Sequence, residues 1–505
     1  MSRAYHYTRS RTKFFAVSCS IAIITIFLFS AVIAVPGAYA FSNGENASIV
    51  LGQPDFTSKS NISPLINQSR FDSPNDVKFD SSGNLWVVDS ANSRVLEFKP
   101  PFSNGESASL VLGEPNFNTA YLPGGTPVNG TVLGVPEAIA FDSSGNLWVS
   151  DTGDSRIVEF KAPFSTGENA SLVLGEPDLK TPGDTTQPAS QSNLNAPVGL
   201  VFDSSGNLWV ADAGYYRVVE FKAPFSNGES ASLVLGQDNF TAKNFPNEPG
   251  CPPNCGSPTQ STLNSPMDVA FDASGNLWVA DRSDYRVVEF TPPFSNGQAA
   301  SLILGGACAI FGQLLGANCL EVTEFIAFDH SGMLWVSDTG NGRILGFPAP
   351  ISSGENATVV LGQPDFATTF SNIWNATQSI LITPEGIVFD SSGNLWVADS
   401  GVNRVLEFGP GAPSSSTSSI ASSSSVSSVS SSRSSALPTS SNAITPTSTP
   451  SSTTSAPATT ITSVPTSSSA GGGAASSMSW VYPVVAVVVV VLVIGAVFIL
   501  MRRRR

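Results

Sequence analysis

The chain has 505 residues, of which 41% are hydrophobic, and a formal net charge of −15. All 39 Asp and Glu residues lie between residues 41 and 408 together with only 15 Lys and Arg residues, so that this stretch has a formal charge of −24. Such an acidic surface repels phosphate backbones, which argues against a nucleic-acid partner.

The first 40 residues have the composition of a secretory signal. Four basic residues precede a long apolar run that begins at Phe14, and the small-residue sequence Ala38-Tyr39-Ala40 follows it. We therefore predict a signal peptide over residues 1–40, cleaved after Ala40. Because the apolar run is longer than that of most signals, an uncleaved N-terminal anchor is the alternative.

One phrase, FDSSGNLWVAD at residues 389–399, organises the middle of the chain. Near-copies of it begin at Phe79, Phe141, Phe202, Phe271 and Phe328. The phrase is typical of two antiparallel strands joined by a short turn. Its Trp recurs in all six copies, which predicts a packing role between repeats for Trp86, Trp148, Trp209, Trp278, Trp335 and Trp396.

A second phrase predicts the fourth strand of each repeat. It occurs six times, beginning at Phe41, Phe102, Phe164, Phe225, Phe294 and Ile351. With the third strand between the two phrases, each unit has four strands, which predicts an all-β, six-bladed β-propeller over residues 41–408. The first copy has no strands before it and the last unit ends after its third strand at Phe408, so the N-terminal strand should complete the sixth blade.

The repeated Asp–Arg pair and the single histidine both have ordinary structural explanations. Every unit pairs an Asp that ends its second strand with an Arg that opens its third, as in Asp89 and Arg94. The sixfold recurrence predicts a structural bond within each blade. His330 is the single histidine of residues 41–408, so it cannot build a multi-histidine zinc centre, and we interpret it as a solvated turn residue.

Four cysteines remain after removal of the signal: Cys251, Cys255, Cys308 and Cys319. An extracellular location favours disulfides. Pairing of Cys251 with Cys255 and of Cys308 with Cys319 is simplest. Cross-pairing between the two connectors and a four-cysteine zinc site are the alternatives.

The turns between second and third strands are small and polar in most units, but not in the third and fourth. Tyr and Arg are enriched in binding hot spots. We therefore predict a ligand-contact patch formed by Tyr215, Tyr216, Arg282 and Tyr285, with ordinary exposed turn residues as the alternative.

The end of the chain predicts a tethered surface protein. Residues 409–479 are dominated by Ser and Thr and lack the aromatic residues of a core, which indicates a disordered stalk. Residues 480–501 are long and apolar enough for one transmembrane helix, and the Arg residues at 502–505 predict a cytoplasmic tail with the propeller outside. Eight glycosylation sequons fit that location: Asn46, Asn61, Asn67, Asn129, Asn169, Asn239, Asn356 and Asn375.

The repeat resembles that of the NHL-repeat propellers. The sixth unit matches closely, from Pro384-Glu385-Gly386 to Asp399 and then Asn403-Arg404-Val405. The connectors between units are longer than in the family, and Thr323 replaces the opening Pro in the fifth unit. The resemblance implies a binding scaffold with varied partners, and the anchor, stalk and acidic surface resemble those of archaeal cell-surface proteins.

These observations predict a membrane-anchored cell-surface protein that binds an extracellular protein or glycan, and no catalytic constellation is found. The alternative is a calcium-dependent hydrolase or lactonase. In six-bladed propellers of the lactonase and paraoxonase type, which the units resemble more distantly, acidic and Asn side chains near strand starts hold Ca²⁺ in the channel. The corresponding candidate metal ligands are Asn75, Glu137, Glu324 and Glu385, and Val198 and Met267 interrupt the ring; carboxylates solvated by a water-filled channel are the alternative.

Overall fold

A computed structural model describes residues 41–58, 66–119, 128–242, 258–306, 315–368 and 376–410, all within one compact unit, Met1–Ser418. The predicted signal, stalk, transmembrane segment and basic tail lie outside these ranges. Within them, no helix is long and apolar enough to cross a membrane.

Short strands separated by Gly-rich turns give an all-β architecture of six antiparallel, four-stranded sheets. The strands in chain order are β1 (Ile49–Leu51), β2 (Pro74–Phe79), β3 (Leu85–Asp89), β4 (Arg94–Phe98), β5 (Leu110–Leu112), β6 (Pro136–Phe141), β7 (Leu147–Asp151), β8 (Arg156–Phe160), β9 (Leu172–Leu174), β10 (Pro197–Phe202), β11 (Leu208–Asp212), β12 (Arg217–Phe221), β13 (Leu233–Leu235), β14 (Pro266–Phe271), β15 (Leu277–Asp281), β16 (Arg286–Phe290), β17 (Leu302–Gly305), β18 (Thr323–Phe328), β19 (Leu334–Asp338), β20 (Arg343–Phe347), β21 (Val359–Leu361), β22 (Pro384–Phe389), β23 (Leu395–Asp399) and β24 (Arg404–Phe408).

Blade 1 comprises β2 to β5, and blades 2 to 5 follow in steps of four strands. Blade 6 comprises β22 to β24 and is completed by β1, in which Val50 pairs with Leu406. The predicted closure by the N-terminal strand is thus confirmed. Closure removes the exposed strand edges that an open array would leave at both ends.

A 3₁₀ turn joins the second and third strands of every blade and is called here the turn helix. The six turn helices are Ser90–Asn92, Thr152–Asp154, Ala213–Tyr215, Arg282–Asp284, Thr339–Asn341 and Ser400–Val402. The residue after each turn helix has a left-handed backbone, as at Tyr216 and Tyr285 with φ values of 56° and 55°.

The core lies between adjacent blades, as the repeated Trp predicted. Trp86 is fully buried and packs edge to face against Phe141 and Phe164 of blade 2, with ring centroids 5.8 and 4.9 Å away. Its indole N–H donates to Asp80 Oδ2 in its own blade, so the buried polar group is satisfied. The other five Trp side chains make the same bond to the Asp of their own turn.

The repeated Asp–Arg pair has a structural role, as expected. Arg94 Nε lies 2.7 Å from Asp89 Oδ2, and both side chains are fully buried. The guanidinium also donates to the carbonyl oxygens of Asn67, Arg70 and Phe117, which belong to the connectors on both sides of the blade. In five of the six blades the Arg thus fastens two connectors to its blade through charge-assisted hydrogen bonds.

Candidate functional site at the channel mouth

The innermost strands β2, β6, β10, β14, β18 and β22 pack against one another in a closed ring around the propeller axis. In each of them the pairing is irregular directly after the first residue, as between Pro74 and Val77. Bulges of this kind redirect side chains. We call the six residues that follow these first residues the channel mouth: Asn75, Glu137, Val198, Met267, Glu324 and Glu385.

The fifth blade keeps the register of the others although Thr323 stands where they have Pro. Thr323 pairs with Asp338 as Pro74 pairs with Asp89. Glu324 therefore occupies the same position of its blade as Glu137 and the other mouth residues.

In three blades the first residue of the turn helix reaches the next blade. The hydroxyls of Thr152 and Thr339 donate at 2.5 Å to the carbonyl oxygens of Pro197 and Pro384, which open the following innermost strands. Arg282 holds this position in blade 4, and its Nε lies 2.9 Å from Glu324 Oε1 in blade 5. The longer side chain thus brings a positive charge to the channel mouth.

Three mouth carboxyls share this one guanidinium. Burial raises the pKa of Glu137 to about 7, and Arg282 offsets part of the effect. The pKa of Glu324 is also raised to about 7, by burial first and by Glu137 to a lesser extent, against the influence of Arg282. Burial and the charge of Glu324 raise the pKa of Glu385 well above its usual range. Crowded, desolvated carboxyls of this kind resist simultaneous ionisation.

A second polar layer follows along the innermost strands. Asp76 is fully buried, and its carboxylate lies 2.7 Å from Lys78 Nζ and accepts the backbone N–H of Ile139 in blade 2. In the opposite blade, Asp268 accepts the N–H of Ile326 in the same way. Each Asp therefore ties its innermost strand to the next one.

Two glycines make room for these aspartates. A Cβ on Gly386 would lie 2.5 Å from the Cα of Asp76, and one on Gly199 would lie 2.5 Å from the Cα of Asp268. Only Gly permits so close an approach of two backbones.

Two of the four predicted calcium ligands, Asn75 and Glu324, have partners within the protein. Among the described residues, no group of three or more His, Cys, Asp or Glu side chains is placed to hold a metal ion. The Asn75 amide instead donates to the backbone carbonyl of Glu137 at 2.8 Å, and Glu324 is paired with Arg282. Arg282 thus supplies one positive charge to the three carboxyls.

The predicted contact patch is only partly available to a ligand. Tyr215 is 3% exposed, its hydroxyl donates to the Gln187 carbonyl at 2.7 Å, and its ring lies 4.9 Å from the guanidinium carbon of Arg217. The expectation that Tyr215 contacts a ligand therefore needs correction, because this side chain packs inside blade 3. Tyr216, Arg282 and Tyr285 are partly exposed and remain candidates.

Other predicted features are only partly within the described residues. Cys319 is buried, whereas Cys251, Cys255 and Cys308 lie outside the described ranges, so their pairing stays a prediction. His330 is exposed in its turn, as expected, and lines a cavity of about 480 Å³ between blades 5 and 6 with Trp335, Phe41 and Met333.

That cavity marks a departure of blade 5 from the repeat. In the other five blades a Ser hydroxyl donates to a Glu carboxylate, as from Ser109 to Glu97 at 2.5 Å, and in blade 2 an Asn amide, that of Asn146, donates to the corresponding Glu159. Blade 5 has Met333, Gly346 and Thr358 at the Asn, Glu and Ser positions, so the polar triplet is absent there. A comparison of the six units by position could have found this from the sequence.

Parts of the chain are similar to known proteins. The NHL repeat family matches residues 71–98 and 381–408, which lie in the first and sixth units. Teneurin-1 of Homo sapiens is 23% identical over 338 residues, which cover 60% of this chain and 12% of teneurin-1. The peptidyl-glycine alpha-amidating monooxygenase of Mus musculus is 24% identical over 364 residues, 63% of this chain and 34% of that protein. A solved gluconolactonase from Xanthomonas campestris has a TM-score of 0.38 and 16% identity, over 72% of this chain and 98% of that one.

The closed ring of six four-stranded sheets defines a six-bladed β-propeller. Its first and sixth units match the NHL repeat, as the resemblance of the sixth unit predicted. The chain spans well under two thirds of the length of both named relatives, 12% and 34%.

Proposed function

We propose that this chain is a membrane-anchored cell-surface protein whose propeller binds an extracellular protein or glycan through the channel mouth and the adjoining turn helices. The observation that carries the proposal is a contrast between two kinds of polar residue. Side chains repeated in every unit, such as Asp89 and Arg94, are bonded inside the blades. Side chains that differ between units, such as Arg282 and Glu324, meet at the mouth. Packing does not require them there, which favours a role in recognition.

The binding role can be tested with full-length protein in detergent on glycan and extracellular-protein arrays. Any ligand found should be probed again with the Arg282→Ala, Glu324→Gln double variant and with Lys161→Ala as the control. Lys161 is an exposed residue after the third strand of blade 2. We expect the double variant to lose binding and the control to keep it. A ligand that binds the wild type and the double variant equally would contradict a site at the mouth.

The predicted surface location needs a separate experiment. Intact cells that produce the full-length chain should be treated with a membrane-impermeant biotin reagent that reacts with lysines. Labelling of the propeller lysines, for example Lys99 and Lys161, is expected from outside the cell. Labelling only after the cells are broken would contradict the proposed orientation.

The alternative function, a calcium-dependent hydrolase or lactonase, has less support because Asn75 and Glu324, two of the predicted ligands, are bonded within the protein. A lactone and ester turnover screen of the full-length protein, with calcium and with a chelator, distinguishes the two. Turnover that depends on calcium would favour the enzyme over the binding protein.

A further inference from the structure

We propose that the channel mouth binds a basic side chain of a protein partner, a guanidinium or primary ammonium group on an aliphatic stem, in the place that Arg282 now holds. This inference rests on the proposed binding function and specifies the chemistry of the partner.

The first observation is an incomplete bond at Glu324. This residue is 4% exposed; its Oε1 pairs with Arg282, but its Oε2 is buried and has no hydrogen-bond partner among the described residues. The hydroxyl oxygen of Thr323, also buried, lacks a partner in the same way. A buried carboxylate oxygen without a donor is costly. A guanidinium that approached Glu324 end-on would donate to both oxygens through two parallel N–H groups.

The second observation is that Arg282 is weakly held. Its side chain is 43% exposed, and its ion pair with Glu324 joins a turn helix to the neighbouring blade. The other five units have Ser, Thr or Ala at this position, so the fold does not need an Arg there. The guanidinium is already partly hydrated and loses little on return to water, while a new cation keeps the buried Glu324 carboxylate paired. An incoming cation can therefore take its place at low cost.

The third observation is the uneven character of the mouth. Carboxyl groups come from blades 2, 5 and 6, whereas blades 3 and 4 contribute the buried apolar side chains of Val198 and Met267. Lys and Arg side chains combine an apolar stem with a charged head. A mouth with one acidic side and one apolar side matches both parts of such a side chain.

The excess of negative charge at the channel mouth also favours a basic ligand. Glu137, Glu324 and Glu385 share the single positive charge of Arg282, and the surrounding residues 41–408 have a formal charge of −24. An acidic surface attracts basic partners and accelerates their association. The negative charge should therefore speed the association of a basic side chain and also stabilise its bound state.

The test is calorimetric titration of full-length protein in detergent with Nα-acetyl-arginine methylamide. The neutral analogue built on citrulline, which has nearly the same shape, is the control ligand. We expect measurable binding of the arginine compound and none of the citrulline compound. Because Arg282 competes for the same carboxylates, Arg282→Ala should strengthen binding by at least threefold. In that background, Glu324→Gln should weaken it by at least tenfold, while Lys161→Ala should leave it unchanged.

Equal binding of the two compounds, or unchanged or weaker binding by Arg282→Ala, would overturn the inference. Thermal unfolding of each variant checks that it folds, and Glu385→Gln replaces Glu324→Gln if that variant does not. If the arginine compound fails while a ligand from the arrays still depends on the mouth, the partner chemistry is wrong but the binding function stands. Failure of both experiments removes the proposed function as well.

Discussion

At the scale of single residues, the same residue type has different roles in the repeat and at the mouth. Arg94 and its five counterparts are buried, paired with an Asp and bonded to connector carbonyls. Arg282 is partly exposed and pairs with an acidic residue of the next blade. The energetic consequences of removing the two kinds of Arg should therefore be very different.

Arg94→Met is expected to lower the free energy of unfolding by about 3–5 kcal/mol, because it leaves the Asp89 carboxylate buried without its partner. Lys99→Met in the same blade is the matched control. Lys99 is exposed and lies 3.4 Å from Glu97, so its removal should cost less than about 1 kcal/mol. Urea unfolding followed by Trp fluorescence measures both changes, and losses of similar size would contradict the structural role of the buried pair.

The raised pKa values at the mouth predict a pH dependence of stability. A carboxyl whose pKa is higher in the folded state than in the unfolded state binds more protons when folded, so its contribution to stability falls as the pH rises above about 4.5. For Glu137 and Glu324 the fall should be complete slightly above pH 7. The three groups together should thus make the wild-type protein less stable at pH 8 than at pH 5.

Two variants test this pH dependence in opposite directions. Glu385→Gln removes one titrating group and should reduce the difference in melting temperature between pH 5 and pH 8, by roughly 1–3 °C. Arg282→Ala removes the charge that lowers all three pKa values and should enlarge the difference. If both variants shift the difference in the same direction, the mouth carboxyls do not control it.

At the level of the blade, the same side-chain hydrogen bonds recur from unit to unit. Blade 5 is the exception, because its Asn, Glu and Ser positions hold other residues. Met333 occupies space near Gly346, where a Cβ would lie 3.0 Å from the Met333 Cε. The Met side chain therefore compensates for the missing Glu carboxylate that the other blades have. The two positions are coupled through direct contact.

This coupling can be measured with a double-mutant cycle. Gly346→Glu alone should destabilise the protein, because the new side chain meets Met333, and Met333→Asn alone should enlarge the cavity beside Trp335. The double variant should rebuild the Asn–Glu–Ser arrangement, with Thr358 in the role of the Ser. We expect a coupling energy of about 1–2 kcal/mol in favour of the double variant. Additive changes would show that the two positions are independent.

At the scale of the whole molecule, the ring is closed by one short strand from the far end of the domain. β1 pairs with β24, and Gln53 and Ser48 reach residues of the last blade, Asn403 and Glu407. The first and last segments of the propeller thus share one sheet. Closure of this kind makes the stability of all six blades depend on β1.

Deletion of residues 41–56 is therefore expected to abolish cooperative unfolding. The deletion exposes an edge of blade 6 and removes Phe41 from its contact with Trp335, whose ring centroid is 5.0 Å away. A deletion of equal length after residue 413 is the control and should leave the thermal transition unchanged. An unchanged transition in the first deletion would contradict closure by β1.

The number of blades, the inter-blade Trp and the closure could all be predicted from the sequence, because each depends on local patterns repeated six times. A strand that is predicted wrongly in one repeat is corrected by the other five copies. An alternating apolar pattern identifies a strand without knowledge of its tertiary contacts. The sequence also indicated Arg282 and Glu324 as candidate binding residues, but it assigned them to two separate sites.

The contact between these two residues could not be predicted from the sequence. They are 42 positions apart and meet through the turn helix of blade 4 and the bulged strand of blade 5. The tertiary structure also placed Tyr215 inside blade 3, where the sequence predicted an exposed contact. The physical reason is the same in both cases. Side-chain direction at a bulge or a 3₁₀ turn depends on contacts with the neighbouring strands and connectors, and those contacts leave no period in the sequence.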